Sequence, residues 1–193
     1  MRPTRAERLT RVQDAATRHI MERGFDRVSV NELADDLGMS VGGLYRYIQT
    51  KSDLLVMACE TIYGGLRAQL AEVATDTDRE LPEKLQKMMR AYFEECVRNR
   101  DQILLMYREY RNLPEEAGRQ YQERELGIVS VFADLIAAGI RRGAFREIDA
   151  QVLAQDIVFL GHLPAIKGWA LRNTAPETLA DEQIALVLAR VLA

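Results

Sequence analysis

Residues 37–48 are Leu37-Gly38-Met39-Ser40-Val41-Gly42-Gly43-Leu44-Tyr45-Arg46-Tyr47-Ile48, and this stretch decides the fold. The glycine and the serine in 37–40 separate two short segments with apolar residues at helical spacing, which is the pattern of a helix-turn-helix. The first segment starts at Ser29, and Glu32 three residues later predicts a capping box. The second segment, residues 41–48, is predicted to be the recognition helix, the element that enters the major groove of DNA in this motif.

Two adjacent glycines, Gly42 and Gly43, stand inside this predicted helix. Each lowers helix stability by roughly 1 kcal/mol relative to alanine, so their presence needs a reason. One reason is that the backbone must come very close to another molecule, and a sugar-phosphate chain or a base edge would fit. Ser40 at the N-cap is within reach of a phosphate, and the N–H groups at a helix N-terminus favour an anion. The alternative is that the glycines belong to a loop.

A cluster of phenol and cationic groups follows the glycines. Tyr45, Arg46, Tyr47 and Lys51 lie within about two helical turns of one another. Hydroxyl and cationic groups commonly donate hydrogen bonds to phosphate oxygens. The alternative for Tyr45 is that its ring packs in the core. Together with the glycines, this cluster favours a DNA-binding surface.

The rest of the chain also places apolar residues at helical spacing, and no stretch alternates in the manner of a β-strand. The first helix is expected to end at Gly24, and one long helix is expected from Lys51 through Leu70. We therefore predict an all-α fold of about nine helices, with an N-terminal three-helix unit and a C-terminal helical bundle. The predicted domains are residues 1–52 and residues 53–193.

Composition excludes several classes of protein. The chain is 48% hydrophobic, which rules out wholesale disorder, and holds no apolar run of the ~20 residues that a membrane span needs. We therefore expect a cytoplasmic protein without membrane contact. Its two cysteines, Cys59 and Cys96, form no CxxC pair, so buried thiols are expected. The net charge is −3, but residues 1–55 carry nine basic and eight acidic groups, which allows a local basic edge.

The N-terminal part of the chain, which contains the predicted helix-turn-helix, resembles the N-terminal domain of TetR-family transcriptional regulators. The resemblance runs without gaps over residues 8–56, and includes Gly24-Phe25, Ser29-Val30-Asn31-Glu32-Leu33-Ala34 and Lys51-Ser52-Asp53-Leu54-Leu55 besides 37–48. It implies a homodimeric repressor that leaves its operator when a small molecule binds the C-terminal domain. By position, it implies contacts mostly to phosphates from Ser29, Ser40, Gly42, Tyr45, Tyr47 and Lys51, and contacts at or near bases from Val41, Gly43 and Arg46.

Two positions depart from the family's pattern. Gly43 stands where the family more often has Thr, Ser or Ala, and Ile48 replaces the usual Phe. Gly43 removes a side chain that would contact a base, so we expect direct readout from few residues, with Val41 near a thymine methyl. The N-terminal arginines would add backbone or minor-groove contacts, and the alternative is that they are simply solvated.

The resemblance also places a ligand pocket and a dimer interface in residues 53–193. Pockets between bundle helices are apolar with a few polar groups, and methionines adapt to varied shapes. The candidate pocket residues are Tyr63, Met88, Met89, Tyr92, Phe93, Met106, Tyr107, Tyr110, Phe132, Phe159, His162 and Trp169. The alternative for each is a place in the core. Residues 103–146 and 162–172 are somewhat similar to TetR-family regulators of fatty-acid or acyl-CoA catabolism, which implies a lipid-like or acyl-CoA inducer.

The dimer is expected to form through the last two predicted helices, residues 149–173 and 179–192. Small residues on the first would allow close approach, and an apolar stripe on the second would complete an interface of four helices. The candidate interface residues are Gly161, Ala165, Gly168, Ile184, Val187, Leu188 and Val191. The alternative is that this stripe belongs to the core of a single chain.

Two other classes of function remain open. An enzyme with a helical-bundle fold would need catalytic motifs, and the chain has no HExxH, no GxSxG and no phosphate loop. An all-helical small-molecule-binding adaptor without DNA contact is the other alternative. We expect no catalytic residue, no cofactor and no metal. The expected partners are a palindromic operator in double-stranded DNA, a small-molecule inducer and a second copy of the chain.

Overall fold

A computed structural model describes residues 4–60 and 65–192 of the chain. Within these residues all the regular structure is helical, so the predicted all-α fold is confirmed. Two 3₁₀ turns, Phe25–Arg27 and Tyr110–Asn112, accompany the α-helices. The ten α-helices are α1 (Arg5–Arg23), α2 (Val30–Asp36), α3 (Val41–Leu44), α4 (Lys51–Glu60), α5 (Leu66–Thr75), α6 (Leu81–Arg98), α7 (Arg100–Glu109), α8 (Glu115–Arg141), α9 (Ala150–Leu171) and α10 (Pro176–Val191).

The described residues divide into two compact units, one of residues 4–60 with 101–121 and the other of 65–100 with 122–192. The predicted boundary after residue 52 separates a DNA-binding domain from a ligand-binding and dimerisation domain. This division by function stays a prediction.

In the first unit, α1 packs against α4 and α2, and α2 packs against α3. The side chains between them are fully or almost fully buried: Val12, Ala16, Ile20, Leu33, Leu44, Ile48, Leu54 and Leu55. Burying aliphatic side chains of this size contributes about 1.5–3 kcal/mol each, so this small core holds α3 in place. Leu9 of α1 lies outside this core and is exposed.

Two glycines allow the sharp turns that set the direction of α2 and α3. Gly24 ends α1 with φ at +80°, and Gly38 lies between α2 and α3 with φ at +64°. A positive φ costs glycine nothing, because glycine has no Cβ. The predicted helix end at Gly24 and the predicted turn at Gly38 are thereby confirmed.

Two predicted helices differ from the observed ones. The long helix expected from Lys51 to Leu70 is two helices, α4 and α5, and Gly65 before α5 has φ at +77°. A left-handed residue at that point breaks the helical path. The recognition helix is also shorter than predicted, because α3 ends at Leu44 and residues 45–47 form a turn. The N–H of Tyr47 donates to the carbonyl of Leu44 at 2.9 Å, which tightens the chain there.

In the second unit, α6 is the central helix and packs against α5, α9 and α10. Gly161 of α9 lies against Tyr92 of α6, and a Cβ at this glycine would come within 2.4 Å of the tyrosine ring. This close approach explains a glycine in the middle of a helix. Helix α9 continues through Pro164, and its one residue outside helical geometry is Lys167.

Candidate nucleic-acid interface

The two serines of the helix-turn-helix cap the helices that they precede. The Oγ of Ser40 accepts a hydrogen bond from the N–H of Gly43 at 3.1 Å, and the Oγ of Ser29 accepts from the N–H of Glu32 at 3.4 Å. Each hydroxyl keeps its own hydrogen for a further acceptor such as a phosphate oxygen. The capping box predicted at Ser29 is half formed, because the Glu32 carboxylate instead pairs with Arg23 at 2.5 Å.

Gly42 is exposed on α3, and the fold of the chain gives no reason for a glycine there. A Cβ built on Gly42 meets nothing within 4 Å, and the residue does not have the positive φ that excludes side chains. Gly43 differs, because its Cβ would lie 3.2 Å from the Oγ of Ser40. No contact within the chain therefore offsets the loss of helix stability that Gly42 causes relative to alanine.

The side chains after the glycines alternate between the core and the surface at helical spacing. Leu44 and Ile48 are buried in the first unit, whereas Tyr45 is 49% exposed and Arg46 is exposed. Val41 and Tyr47 are half-buried. No ion pair holds Arg46 among residues 4–60 and 65–192. The surface of α3 and the following turn thus presents a guanidinium, a phenol and the bare backbone of Gly42.

Lys51 is fixed at the start of α4 rather than extended into solvent. Its Nζ donates to the carbonyl oxygen of Asp26 at 2.8 Å and lies 5.0 Å from the centroid of the Phe25 ring. An ammonium has three donors, so this arrangement leaves two for an anion. The adjacent Asp53 caps the same turn by accepting hydrogen bonds from the N–H groups of Gln49 and Thr50, which lower the pKa of its carboxyl against the opposing effect of burial.

A polar contact that the sequence did not predict joins α1 to α2. The Nε2 of His19 lies 3.3 Å from Oδ2 of Asp36, and the guanidinium of Arg18 pairs with the same carboxylate. The hydrogen bond from His19 holds the pKa of the Asp36 carboxyl below its ordinary value of 3.8, and Arg18 lowers it further. This contact fastens the last turn of α2, which leads directly into the turn before α3.

The exposed cations of α1 supply the basic edge that the sequence allows. Arg5, Arg8 and Arg11 are exposed along successive turns of the helix. The helix begins with a complete capping box, because Thr4 and Glu7 each bond the other's backbone N–H.

Family models match both parts of the chain. The model for bacterial regulatory proteins of the tetR family matches residues 13–58, and the model for the tetracyclin repressor-like C-terminal domain matches residues 78–191. The second match alone spans more than half of the chain. The chain belongs to the TetR family. The resemblance noted from residues 8–56 is thereby confirmed.

Individual relatives of this TetR-family chain are distant. It is 25% identical over 156 residues to the HTH-type transcriptional regulator YerO of Bacillus subtilis, a match that covers 79% of this chain and 54% of YerO. The chain therefore spans about half the length of that relative. Among solved structures, a tetR-family regulatory protein from Rhodococcus RHA1 is 24% identical, with a TM-score of 0.81 and coverage of 97% of this chain and 98% of that one.

A further solved structure with this fold is AibR in complex with isovaleryl coenzyme A and operator DNA. It is 21% identical to this chain, with a TM-score of 0.74, and the match covers 95% of this chain and 100% of AibR. At this level of identity the likeness shows the fold.

The candidate pocket residues of this TetR-family chain fall into three groups. Tyr107, Tyr110, Phe159 and Trp169 are exposed, and Tyr63 lies outside the described residues. The remaining candidates are buried: Met88, Met89, Tyr92, Phe93, Met106, Phe132 and His162. The structure therefore buries all four candidates of α6 and leaves the four exposed candidates at the surface.

A buried polar group lies next to the rings of Phe93 and Phe132. The hydroxyl of Tyr92 donates to the carbonyl oxygen of Val158 at 3.0 Å and lies 3.0 Å from Nε2 of His162. Burial lowers the pKa of His162, and the charge of Glu125 opposes this shift. Burial raises the pKa of the neighbouring Cys96 thiol to about 12. Cys96 is buried as predicted, and the side chain of Cys59 lies outside the described residues.

The structure buries part of the predicted dimer interface within the single chain, and the interface itself stays a prediction. Gly161, Ile184, Val187 and Val191 are buried within the single chain. Ala165 and Leu188 are half-buried, and Gly168 is exposed. Helical spacing identifies an apolar face, but it does not say whether that face packs inside the chain or against another chain.

Exposed apolar side chains lie on another face of the same two helices. Val152 and Phe159 of α9 and Leu186 of α10 are each more than half exposed. They line an open groove of about 440 Å³, which also has Asp149, Asp156 and Arg190 at its edges.

Among the side chains described in 4–57 and 65–192, no three His, Cys, Asp or Glu groups are placed together so as to hold a metal ion. None of the helices described there is both long and apolar enough to cross a membrane.

Proposed function

We propose that this chain is a ligand-responsive, DNA-binding transcriptional regulator, a repressor that a small apolar or acyl-CoA-like inducer releases from a palindromic operator. The observation that carries the proposal is Gly42, because it leaves the backbone of α3 uncovered where neither packing nor φ requires it. The nine residues of the interface are those named from the sequence: Ser29, Ser40, Val41, Gly42, Gly43, Tyr45, Arg46, Tyr47 and Lys51. A regulator that acts on chromosomal DNA works in the cytoplasm, and binding alone suffices for it without catalysis.

The homodimer is proposed to form through the exposed apolar face of α9 and α10. Val152, Phe159 and Leu186 present three large apolar side chains beside the carboxylates of Asp149 and Asp156 and the guanidinium of Arg190. A two-fold interface brings the same patch of both copies together, so charges of both signs at its edge can pair across it. Such a dimer would place two recognition helices about 34–36 Å apart, or a multiple of that, on one face of DNA.

The inducer is proposed to bind among the buried methionines and aromatic rings of α6, near the polar group of Tyr92 and His162. These side chains combine an apolar surface with two groups that form hydrogen bonds, as ligand sites between helices commonly do. AibR, which shares this fold, was solved with isovaleryl coenzyme A and operator DNA, and this supports an acyl-CoA-like molecule for the present chain.

A fluorescence anisotropy titration with DNA from upstream of the gene tests the function. We expect saturable binding that prefers this DNA over a scrambled duplex, and an affinity that falls roughly a thousandfold or more between about 50 mM and about 200 mM salt. Isovaleryl coenzyme A serves as the probe for the inducer. If it lowers the DNA affinity, the DNA must lower its affinity by the same factor. Ligand binding without any DNA binding would instead favour the adaptor.

Sedimentation velocity tests the proposed dimer face. Phe159→Glu is expected to shift the protein toward the monomer, because it puts a charge in the centre of the apolar patch. Leu126→Glu is the matched control, since Leu126 is 52% exposed, close to the 54% of Phe159, but is not part of this groove. A dimer unchanged by Phe159→Glu would place the interface elsewhere.

A further inference from the structure

A second open groove lies between α5, α6 and α8 of the second unit, with a volume of about 420 Å³. None of its lining residues is among the candidate pocket residues or on the α9–α10 face. Its apolar lining includes Leu81, Val131 and Leu135, and its polar lining includes four charged side chains: Arg67, Lys84, Asp134 and Arg142.

Lys84 is the unusual member of this lining. It is only 8% exposed, although lysine is almost never fully buried unless it is paired. Its Nζ makes one long hydrogen bond, to the carbonyl oxygen of Ala74 at 3.4 Å. An ammonium has three donors and good N–H···O bonds are about 2.9–3.0 Å long, so most of its capacity is unused. The fold thus holds this ammonium in the wall of an open groove with a single long hydrogen bond from the chain itself.

The groove carries an excess of positive charge around this ammonium. Arg67, Lys84 and Arg142 face one carboxylate in the lining, that of Asp134. In residues 4–60 and 65–192, no ion pair involves any of these three cations. Gly127 of α8 leaves room for Arg67, because a Cβ there would approach its Cδ to 3.2 Å. The side chain of Arg67 is exposed and lies along the surface of α8.

We propose that this groove binds a small amphipathic anion. A carboxylate or phosphate headgroup pairs with the ammonium of Lys84 and with the flanking guanidinium groups, and a short hydrocarbon body lies on Leu81, Val131 and Leu135. Hydrogen bonds between charged partners are the strong ones, and they satisfy the donors that the chain itself leaves unused. The site is separate from the inducer site proposed above and does not depend on DNA binding.

Isothermal titration calorimetry without DNA tests this site with octanoate, octyl phosphate and octanol as probes. We expect saturable binding of octanoate or octyl phosphate and much weaker binding of octanol, which lacks the charge. The stronger of the two anions identifies the headgroup. Inorganic phosphate alone is expected to bind more weakly than octyl phosphate, because it has no apolar body.

Lys84→Met removes the ammonium and keeps an apolar stem, and Lys87→Met is the matched control, an exposed lysine on the same helix outside the groove. We expect Lys84→Met to weaken binding of the preferred anion at least about tenfold, and Lys87→Met to leave it unchanged. The midpoint of thermal unfolding of Lys84→Met should not fall, since apolar replacement of a buried charge is often neutral or stabilising.

Arg142→Gln keeps the test open if Lys84→Met does not fold, because it removes a guanidinium at the exposed edge of the same groove. It is expected to weaken binding of the same anion severalfold. Equal affinity of the wild-type protein and Lys84→Met, equal affinity for octanol and octanoate, or no binding of either anion at millimolar concentration would each overturn the site. Loss of operator binding alone would not count against the anion site.

Discussion

The hydroxyl of Tyr92 on α6 lies 3.0 Å from Nε2 of His162 on α9, in the interior of the second unit. The hydroxyl hydrogen goes to the carbonyl oxygen of Val158, so the hydroxyl oxygen can accept from an Nε2–H group. The contact with His162 is then a hydrogen bond when the imidazole carries its hydrogen on Nε2. It also joins the two helices by a polar contact at the point where Gly161 allows them to approach closely.

Tyr92→Phe is expected to lower the free energy of unfolding by about 1–3 kcal/mol, because it leaves a buried imidazole and a buried carbonyl without this partner. Urea denaturation followed by circular dichroism measures the change. Tyr45→Phe is the control, since Tyr45 is 49% exposed and loses only a solvated hydroxyl. A cost of Tyr92→Phe no larger than that of the control would show that the contact contributes nothing to stability.

Gly42→Ala should separate folding from DNA binding. The added Cβ meets nothing in the chain, so stability is expected to stay the same or to rise by up to about 1 kcal/mol. Affinity for operator DNA is expected to fall, because the methyl group occupies the space that the duplex needs. Gly118→Ala is the control, with a Cβ at an ordinary 3.8 Å from the Tyr110 hydroxyl. Undiminished operator affinity of Gly42→Ala would count against close approach of the backbone.

Lys51→Ala should weaken binding to all DNA sequences by a similar factor, since the ammonium is assigned to a phosphate. The slope of the logarithm of affinity against the logarithm of salt concentration should decrease by about 1. Arg27→Ala is the control, because it removes an exposed cation from the 3₁₀ turn Phe25–Arg27. A change of base preference in anisotropy titrations with operator variants would contradict the assignment to phosphate.

Asp36→Asn should destabilise the protein in a pH-dependent way. The carboxylate of Asp36 has a lowered pKa in the folded chain, because His19 and Arg18 bind its charged form. Its contribution is therefore present above its ordinary pKa of 3.8 and is lost as the pH falls through the lower value of the folded state. Thermal unfolding at pH 7 should show a deficit for Asp36→Asn that shrinks below pH 3.8. Asp35→Asn, with an exposed neighbouring carboxylate, should show no such trend.

Cys96 should be unreactive in the folded protein. Its pKa of about 12 leaves almost no thiolate near neutral pH, and the side chain is buried. In a Cys59→Ser background, Ellman's reagent at pH 8 should label the native protein only slowly and the urea-unfolded protein at once. Rapid stoichiometric labelling of the native form would contradict both the burial and the raised pKa.

Local patterns in the sequence are enough to predict the helix-turn-helix. Gly24 and Gly38 require positive φ, and Leu44 and Ile48 repeat at helical spacing, so each of these features is set by residues close together in the chain. The length of α3 was overestimated. Apolar spacing continues to Ile48, but the backbone tightens after Leu44, and spacing does not distinguish a helix from a tight turn at its end.

Contacts between distant residues could not be predicted in the same way. Asp36 contacts Arg18 and His19, which precede it by 18 and 17 positions in the chain. No local sequence pattern around any of these residues identifies its partner. The position of the dimer interface is difficult to predict for a related reason. Ile184 and Leu186 lie two positions apart on α10 and point to different sides, and only the packing of the helix shows which side faces the core.

The empty space beside Gly42 also bears on how such a regulator changes over evolutionary time. A duplicated gene can acquire a larger residue at this codon through one nucleotide substitution without unfolding the product, because no neighbouring atom resists it. If duplex DNA lies against Gly42 as proposed, a paralogue can lose its ancestral target in this way while its fold is preserved. Divergence of regulatory circuits would then begin at a position that the protein's own architecture leaves unconstrained.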